Sequence, residues 1–178
     1  MMNNPVPEHM NDYLYPLVGT RMLELGNKKT GGTTYKSYFE SKGIDHTSID
    51  WNGLDGAIKL DLRQPIEMEP FDMVTNIGTS EHVSNQYGVW FNIHNLCKVG
   101  GIVVSHTPLE GDWWWHGLHY PRMSFFEQFA EMGYEINFIG VGQEAPTRTI
   151  NVRMKKTHVN EFVMPPMETI YRNIPRSR

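Results

Sequence analysis

The chain has few of the features that mark secreted, membrane-spanning or nucleic-acid-binding proteins. Its 178 residues include one cysteine, Cys97, so no intrachain disulfide can form. No apolar run approaches the roughly 18 residues that a membrane span needs, and the segment MMNNPVPEHMND lacks the basic start and apolar centre of a signal peptide. The 16 basic residues are outnumbered by 20 acidic ones, which gives no electrostatic basis for binding nucleic acid. We therefore expect a cytoplasmic protein with no membrane or nucleic-acid partner.

The length predicts one domain with a short segment at each end. We expect an amino-terminal arm over residues 1–20, with a short helix in EHMNDYLYPLV that Pro16 limits. The domain itself spans residues 21–157. A tail follows over residues 158–178, with one helical turn in METIYRN.

Within residues 21–157, short apolar runs alternate with segments of helical periodicity. The predicted strands are TRMLELG, DHTSID, AIKLDL, EPFDMVTN, GIVVSHTP, YEINFIGV and RTINVRMKKT. The predicted helices are TTYKSYFESKG, QYGVWFNIHNLCKVGG, which its double glycine caps, and PRMSFFEQFAEMG. Strands separated by helices predict a parallel sheet covered on both faces, and the last two strands predict an antiparallel pair. The fold class is therefore α/β: a Rossmann-like three-layer sandwich with a mostly parallel seven-stranded sheet and a final antiparallel hairpin.

Polar residues and glycines follow the predicted strands, at the edge where such sheets bind ligands. Asp50 ends the second strand 24 residues after Gly26, near the spacing at which a carboxylate binds a ribose diol. Because an Asn-Gly pair follows, Asp50 has a second interpretation as the cap of a turn. Asp61 ends the third strand, where it offers an acceptor for an adenine amino group beside the apolar Leu62.

The order of these segments resembles that of the class I S-adenosylmethionine-dependent methyltransferases. Over about residues 21 to 157, the resemblance is carried by LELG, SIDWNG, KLDLRQP, FDMVTNIGTSEHV and CKVGGIVV. FDMVTNIGTSEHV and the later segment HGLHYPRMSFFEQFAEMGYE are similar to the small-molecule branch of that family. The resemblance implies S-adenosyl-L-methionine as cofactor and a small-molecule acceptor that is methylated at oxygen or nitrogen.

The resemblance also implies cofactor-binding roles at the strand ends. The residues concerned are Glu24, Gly26, Asn27, Asp50, Trp51, Asp61, Leu62, Asn76 and Ile77. Glu24 would orient the ammonium group of the methionine moiety, and Gly26 would let the backbone approach the cofactor. Asp50 would bind both ribose hydroxyls, while Asp61 and Leu62 would hold the adenine. Asn76 and Ile77 would contact the methionine moiety.

The first turn departs from the family pattern of three alternating glycines. After Gly26, this chain has Lys28 and Thr30 where the pattern has glycine. The departure argues against a nicotinamide-dependent enzyme, because a pyrophosphate needs a glycine-lined nest of backbone amides. S-adenosylmethionine carries no phosphate, and its carboxylate can be met by Lys28, by Lys29 or by the amino terminus of the following helix.

Catalysis requires a base only if the acceptor must lose a proton. His106, His82 and His116 are the candidates, because a neutral imidazole has a suitable pKa. Each has a structural alternative, such as ordering the loop after the fourth strand. EGDWWWHGLHYP is predicted either to cover the sheet edge or to form an aromatic lid over the acceptor.

The sequence also raises two alternatives, a metal site and a protein that binds without catalysis. His116 and His119, with His106 and Glu110 nearby, have spacing that suits zinc or iron only weakly, so no metal site is predicted. The altered glycine turn also fits a catalytically degenerate protein that binds a ligand or a partner. The sequence leaves the oligomeric state open.

Overall fold

The computed structural model describes residues 19–30, 32–113, 116–144 and 147–172. The short helix predicted in the amino-terminal arm lies outside these residues. The described strands, in chain order, are β1 (Arg21–Leu25), β2 (Lys29–Thr30), β3 (Thr33–Thr34), β4 (Asp45–Asp50), β5 (Ile58–Lys59), β6 (Phe71–Ile77), β7 (Cys97–Pro108), β8 (His119–Pro121), β9 (Tyr134–Glu144), β10 (Thr147–Lys156) and β11 (Ile170–Arg172).

The central sheet has seven strands in the order β5–β4–β1–β6–β7–β10–β9. Neighbours from β5 to β7 are parallel, whereas β10 is antiparallel to both β7 and β9. The chain runs outward from β1 to β4 and β5, and then crosses to β6 on the other side of β1. This reversal creates a switch point between β1 and β6, where the connecting loops diverge and leave a crevice. The predicted fold class is confirmed.

Helices cover both faces of the sheet because successive strand residues point to opposite sides. On one face, Met22 and Met73 pack with Tyr35 and Phe39 of α1 (Tyr35–Ser41). On the other face, strand residues such as Leu23 and Val74 pack against two further helices. These are α2 (Gln86–Leu96) and α3 (Met123–Glu127), the latter continued by a 3-10 turn over Gln128–Ala130. No described helix has both the length and the apolar character to cross a bilayer.

The larger core is centred on Trp90 of α2. Its indole lies against Phe125, Phe126 and Phe129, with ring centroids 4.8, 5.5 and 5.9 Å away. All four side chains are fully buried. Burying each such ring contributes about 1.5–3 kcal/mol, and the edge-on geometry adds to this. The indole N–H donates to Gln86 Oε1 (3.1 Å), so the core also fixes the residue that begins α2.

Two predicted boundaries were wrong. The helix predicted over QYGVWFNIHNLCKVGG ends at Leu96, and its double glycine lies inside β7 instead of capping the helix. The apolar, β-branched run that follows draws Cys97 into register with Phe71 of β6, while Gly100 takes a positive φ of 84° at an irregularity. The third strand, predicted over AIKLDL, is limited to Ile58–Lys59 at the sheet edge.

The tail packs against the domain. A 3-10 turn over Met167–Thr169 matches the predicted helical turn, but β11 follows it and pairs antiparallel with β8. Phe162 and Ile170 are buried in the larger core. Asn160 O also bonds His94 Nε2 of α2 at 2.8 Å. Residues 158–172 therefore help to cover the α2 face of the sheet.

Replacing Phe129 tests the aromatic core. We expect Phe129→Ala to lower the free energy of unfolding by about 3–5 kcal/mol, because the truncation leaves a cavity beneath Trp90. Phe138→Ala is the matched control, since its ring is 38% exposed, and it should cost about 1 kcal/mol. Denaturant titration of both variants measures the difference. Equal losses would contradict the central place given to the Trp90 cluster.

Candidate functional site

A cleft of about 900 Å³ opens at the carboxyl ends of β1, β4 and β6, beside the switch point. Its lining residues are Gly26, Asn27, Lys28, Asp50, Trp51, Lys59, Leu60, Asp61, Leu62, Arg63, Gly78, Thr79, His82, Val83 and Ser84. Six predicted cofactor residues are therefore brought together: Gly26, Asn27, Asp50, Trp51, Asp61 and Leu62. The volume is in the range of small-molecule and cofactor sites.

The turn after β1 forms one wall of the cleft. Gly26 has a φ of 75°, and a Cβ added there would overlap the hydroxyl of Thr79. That hydroxyl donates to Leu25 O at 2.7 Å and so ties the loop after β6 to the end of β1. Glycine is required at this position on both grounds, backbone conformation and close approach. Gly26 therefore lines the cleft with Thr79 packed against the position of its missing Cβ.

Glu24 supports this turn from beneath and does not line the cleft. Its side chain is fully buried, with Oε2 2.9 Å from His46 Nε2, and its Oε1 accepts from the backbone amide of Lys28 at 3.2 Å. Burial raises the pKa of Glu24, while the His46 contact and the Lys28 amide oppose that shift. The predicted contact between Glu24 and a methionine ammonium group stays a prediction.

Asp50 sits between two turns and faces the cleft. Its Oδ2 accepts from the backbone amide of Asn27 (3.2 Å), and its Oδ1 accepts from that of Asn52 (3.0 Å). The second bond is the turn cap that the sequence left open, so the side chain does cap the Asn-Gly turn. Each carboxylate oxygen can accept a further hydrogen bond. The capping role therefore leaves Asp50 able to bind a diol.

Asp61 and Leu62 form the opposite wall, which α2 holds in place. Asn92 Nδ2 donates to Leu62 O (3.1 Å) and to Gln64 O (2.9 Å). Asp61 binds the Arg63 guanidinium through both oxygens, at 2.9 Å for Nε and 2.7 Å for Nη2, and these bonds lower the pKa of its carboxyl group. The pair is exposed to solvent, where such contacts are weak and exchangeable. An adenine amino group would have to share this carboxylate with Arg63.

The two lysines of the first turn have different environments. Lys29 forms an ion pair with Asp55, whereas Lys28 lines the cleft. The ammonium nitrogen of Lys28 lies beside Gly78, 2.8 Å from the point that a Cβ would occupy there. Lys28 and Lys29 are the two lysines predicted from the sequence as donors to a bound carboxylate, and of these Lys28 is the one that lines the cleft.

Three other predicted site residues are buried away from the cleft surface. Asn76 bonds the amide and the hydroxyl of Ser80 (2.9 and 2.8 Å) and so orders the loop after β6. Ile77 is part of the core beneath α1. His106 is buried at the end of β7, with Nδ1 2.6 Å from Asn151 Oδ1. The structure does not bring them to the cleft, and their predicted roles stay predictions.

The other two predicted histidines meet at the rim of the cleft. His82 lines the cleft, and its ring centroid is 4.6 Å from that of His116, which stacks on Trp113 at 3.6 Å. Partial burial lowers the pKa of His82, which favours its neutral imidazole. Trp113 is the described part of the predicted aromatic lid; Trp114 and Trp115 lie outside the described residues.

Several lining residues were missed by the sequence analysis. They are Lys59, Leu60, Arg63, Gly78, Thr79, Val83 and Ser84. Gly78, with a φ of 66° directly after β6, carried a detectable signal, since a glycine after a strand at the switch point marks a close approach. Thr79 reaches the cleft through its bond to Leu25 O, and Arg63 through its bonds to Asp61; no sequence pattern indicates either contact.

The close contact at Gly26 leads to a stability prediction. We expect Gly26→Ala to destabilise the protein by at least about 2 kcal/mol, because left-handed strain of about 1 kcal/mol adds to overlap with Thr79. Gly100→Ala is the matched control, since Gly100 also has a positive φ but nothing lies near its missing Cβ. It should cost only about 1 kcal/mol. In a Thr79→Ala background, the extra cost of Gly26→Ala should shrink; strict additivity in thermal melts would contradict the contact.

Comparisons with known proteins bear on the fold. No family model and no curated protein matches the chain. Among solved structures, it is similar to Burkholderia thailandensis 1,6-didemethyltoxoflavin-N1-methyltransferase with bound 1,6-didemethyltoxoflavin and S-adenosylhomocysteine (TM-score 0.61, 14% identity, 84% of this chain on 76% of that one). It is also similar to an O-methyltransferase of Brevibacillus brevis in complex with S-adenosyl-L-homocysteine (TM-score 0.53, 12% identity, covering 78% of this chain and 67% of that chain). A third similar structure is the [4+2]-cyclase SpnF (TM-score 0.60, 15% identity, covering 84% of this chain and 81% of that chain).

At these identities the likeness concerns the fold and not the activity. The overall similarity covers 84% and 78% of this chain in the comparisons with the two methyltransferase structures. The chain therefore has the fold of the class I S-adenosylmethionine-dependent methyltransferases, as its sequence segments indicated.

Proposed function

We propose that the protein is an S-adenosyl-L-methionine-dependent methyltransferase that acts on oxygen or nitrogen of a small molecule. The observation that carries the proposal is the position of Asp50. Its carboxylate faces a cleft of about 900 Å³ at the switch point and keeps the capacity to accept two hydroxyl donors. The neighbouring structures with bound S-adenosylhomocysteine support this assignment of the cleft.

The lining residues fit the chemical groups of this cofactor. Asp50 would accept from the ribose hydroxyls, and Gly26 lies beside it in the lining of the cleft. Leu62 supplies an apolar surface for the adenine beside the Asp61 carboxylate. Lys28 places an ammonium group in the cleft, where it would pair with the carboxylate of the methionine moiety. Lys28 would thus supply a carboxylate donor at a position where the family pattern has glycine.

When bound, S-adenosyl-L-methionine supplies an activated methyl group on a sulfonium. The chain's own contribution is to position the acceptor, to exclude water and, for a hydroxyl or amine, to accept a proton. His82 is the histidine that lines the cleft, and its lowered pKa leaves Nε2 or Nδ1 able to take that proton at neutral pH. Trp51, which is 77% exposed at the rim, offers an apolar surface that becomes useful only when a ligand covers it.

A second candidate function is ligand binding without methyl transfer. It is favoured by the Arg63 guanidinium, which occupies both oxygens of Asp61, and by the SpnF [4+2]-cyclase, which has this fold and a different named reaction. Under this alternative the cleft binds the cofactor or its product, and no acceptor is turned over.

Calorimetric titration with S-adenosyl-L-methionine and S-adenosylhomocysteine tests the proposal. We expect both to bind, and Asp50→Asn to weaken them about 10- to 100-fold, because a charge-assisted hydrogen bond contributes about 1.5–3 kcal/mol. Asp45→Asn is the matched control. It lies at the other end of β4 and makes only a long, exposed contact with Arg21 (3.9 Å), so affinity should be unchanged.

Three results separate the candidates. Absence of binding at millimolar concentration, or binding of NAD in place of the sulfonium compound, would reject the assignment of the cleft. Binding with release of S-adenosylhomocysteine on a panel of phenols, carboxylates and amines supports the enzyme. Binding that is weakened by Asp50→Asn, with no turnover of any acceptor, favours the second candidate.

Trp51 gives an independent prediction for the adenosine end of the cleft. We expect Trp51→Ala to lower the affinity for S-adenosylhomocysteine about 2- to 10-fold, because a lost aromatic contact is worth about 0.5–1.5 kcal/mol. Trp113→Ala serves as a comparison, since Trp113 is also exposed but is not among the residues that line the cleft. Its affinity should match the wild type in the same calorimetric assay. An equal effect of both substitutions would argue against a specific contact with Trp51.

A further inference from the structure

A carboxylate without a hydrogen-bond donor lies directly beside the cleft. The side chain of Glu81 is fully buried, and neither of its oxygens accepts a hydrogen bond from any described residue. A buried carboxylate that lacks donors is strongly unfavourable unless a positive charge compensates it. Two imidazoles approach it: His116 Nε2 is 3.5 Å and His82 Nε2 is 4.0 Å from Glu81 Oε1.

The surrounding structure holds this arrangement in place from both sides. Gln86 Nε2 donates to Ser80 O and Val83 O (2.8 and 2.7 Å), which anchors the turn that carries Glu81 to α2. On the other side, the amide of Leu118 donates to Glu81 O (2.6 Å). A Cβ at Gly117 would come within 2.8 Å of Glu81 Cβ, so only glycine lets the His116 loop come this close.

We propose that Glu81, His82 and His116 form a binding site for a divalent first-row transition-metal cation. One ligand atom from each of the three lies within 4.8 Å of the other two. Two imidazoles and one carboxylate are a ligand set that proteins use for zinc and for non-haem iron, with further coordination positions left open. Because His82 also lines the cleft, an open position here would adjoin the space assigned to the ligand, and in the cation-bound protein His82 would act as a ligand instead of as the base.

The distances and chemistry favour such a cation over a hard one such as Mg²⁺. Donor atoms that each lie about 2.0–2.2 Å from one metal are about 3–3.5 Å apart, so the 3.5 Å pair already fits. The 4.0 Å pair requires a small rotation of His82, whose side chain is 46% exposed and has room to move. Mg²⁺ prefers oxygen ligands in near-octahedral geometry, which two imidazoles do not supply.

The alternative is that Glu81 is compensated by protein charges alone. Lys28 Nζ and Glu81 Oε1 lie 2.8 and 3.5 Å from the same point beside Gly78, so the ammonium group is a nearby counter-charge. A protonated His116 would be a second one. No metal site is predicted from the sequence. Of the residues whose spacing suited zinc or iron only weakly, two have other partners in the fold: Glu110 binds Arg122, and His106 binds Asn151.

The test uses the untagged protein after removal of metals with a chelator, titrated with ZnCl₂ and CoCl₂ and with MgCl₂ for comparison. We expect Zn²⁺ and Co²⁺ to bind in a 1:1 ratio at roughly micromolar affinity or tighter, and Mg²⁺ not to bind. The Co²⁺ complex should show visible d–d absorption whose intensity distinguishes a four- or five-coordinate protein site from aqueous Co²⁺. No added methyl donor or acceptor is needed, so a failure here leaves the proposed function untouched.

Variants assign the site. Glu81→Gln and His116→Ala should each weaken Zn²⁺ at least 10-fold and abolish the Co²⁺ spectrum, whereas His158→Ala, an exposed histidine outside the cluster, should match the wild type. If Glu81→Gln does not fold, His116→Ala still decides, because its side chain is partly exposed on a loop. Lys28→Met should strengthen Zn²⁺ binding several-fold by removing a nearby positive charge. Absence of 1:1 binding, or binding that both cluster variants retain, would overturn the proposal.

Discussion

The ligand cleft depends on a contact between Glu24 and His46 that has no access to water. The side chains of Glu24 and His46 are both fully buried, with Oε2 and Nε2 2.9 Å apart, and the pair links the neighbouring parallel strands β1 and β4. The other carboxylate oxygen of Glu24 accepts a hydrogen bond from the backbone amide of Lys28. The His46 ring stacks on Phe39 of α1, with ring centroids 5.4 Å apart. Removing one partner would leave a buried polar group without its hydrogen bond, which typically costs about 1–3 kcal/mol. One contact therefore fixes the sheet, the helix and the turn together.

This arrangement explains why the turn tolerates lysine. A phosphate-binding turn obtains its shape from glycines, each free to adopt an unusual backbone conformation. Here Gly26 must be glycine because Thr79 packs against the position of its missing Cβ. The hydrogen bond from the Lys28 backbone amide to the Glu24 carboxylate fixes the conformation of the residues that follow. The Lys28 side chain is then left pointing into the cleft. The shape of the turn is set by a buried acceptor, and its charge is available for a ligand.

The elements that the sequence predicted well are those whose signal is local. Apolar β-branched runs predicted β6 and β7, and Tyr35, Tyr38 and Phe39 at helical spacing predicted α1. The strand-end residues followed, because parallel strands bring their carboxyl ends to one edge. β11 was missed because three residues, Ile170–Arg172, become a strand only when β8 is alongside them. The engagement of Asp61 by Arg63 and the burial of His106 against Asn151 are likewise set by partners that periodicity does not reveal.

Lys28 connects the two sites that we propose. Its ammonium group and the Glu81 carboxylate flank Gly78, so without ligands each compensates part of the other's charge. A bound cofactor carboxylate would attract the Lys28 ammonium group away from Glu81, and Glu81 would then be more available to a cation. The converse holds by linkage, since a cation on Glu81 releases Lys28 for the cofactor. If both sites exist, their occupancies are positively coupled through one flexible side chain, and the lysine that departs from the glycine pattern is the residue through which that coupling acts.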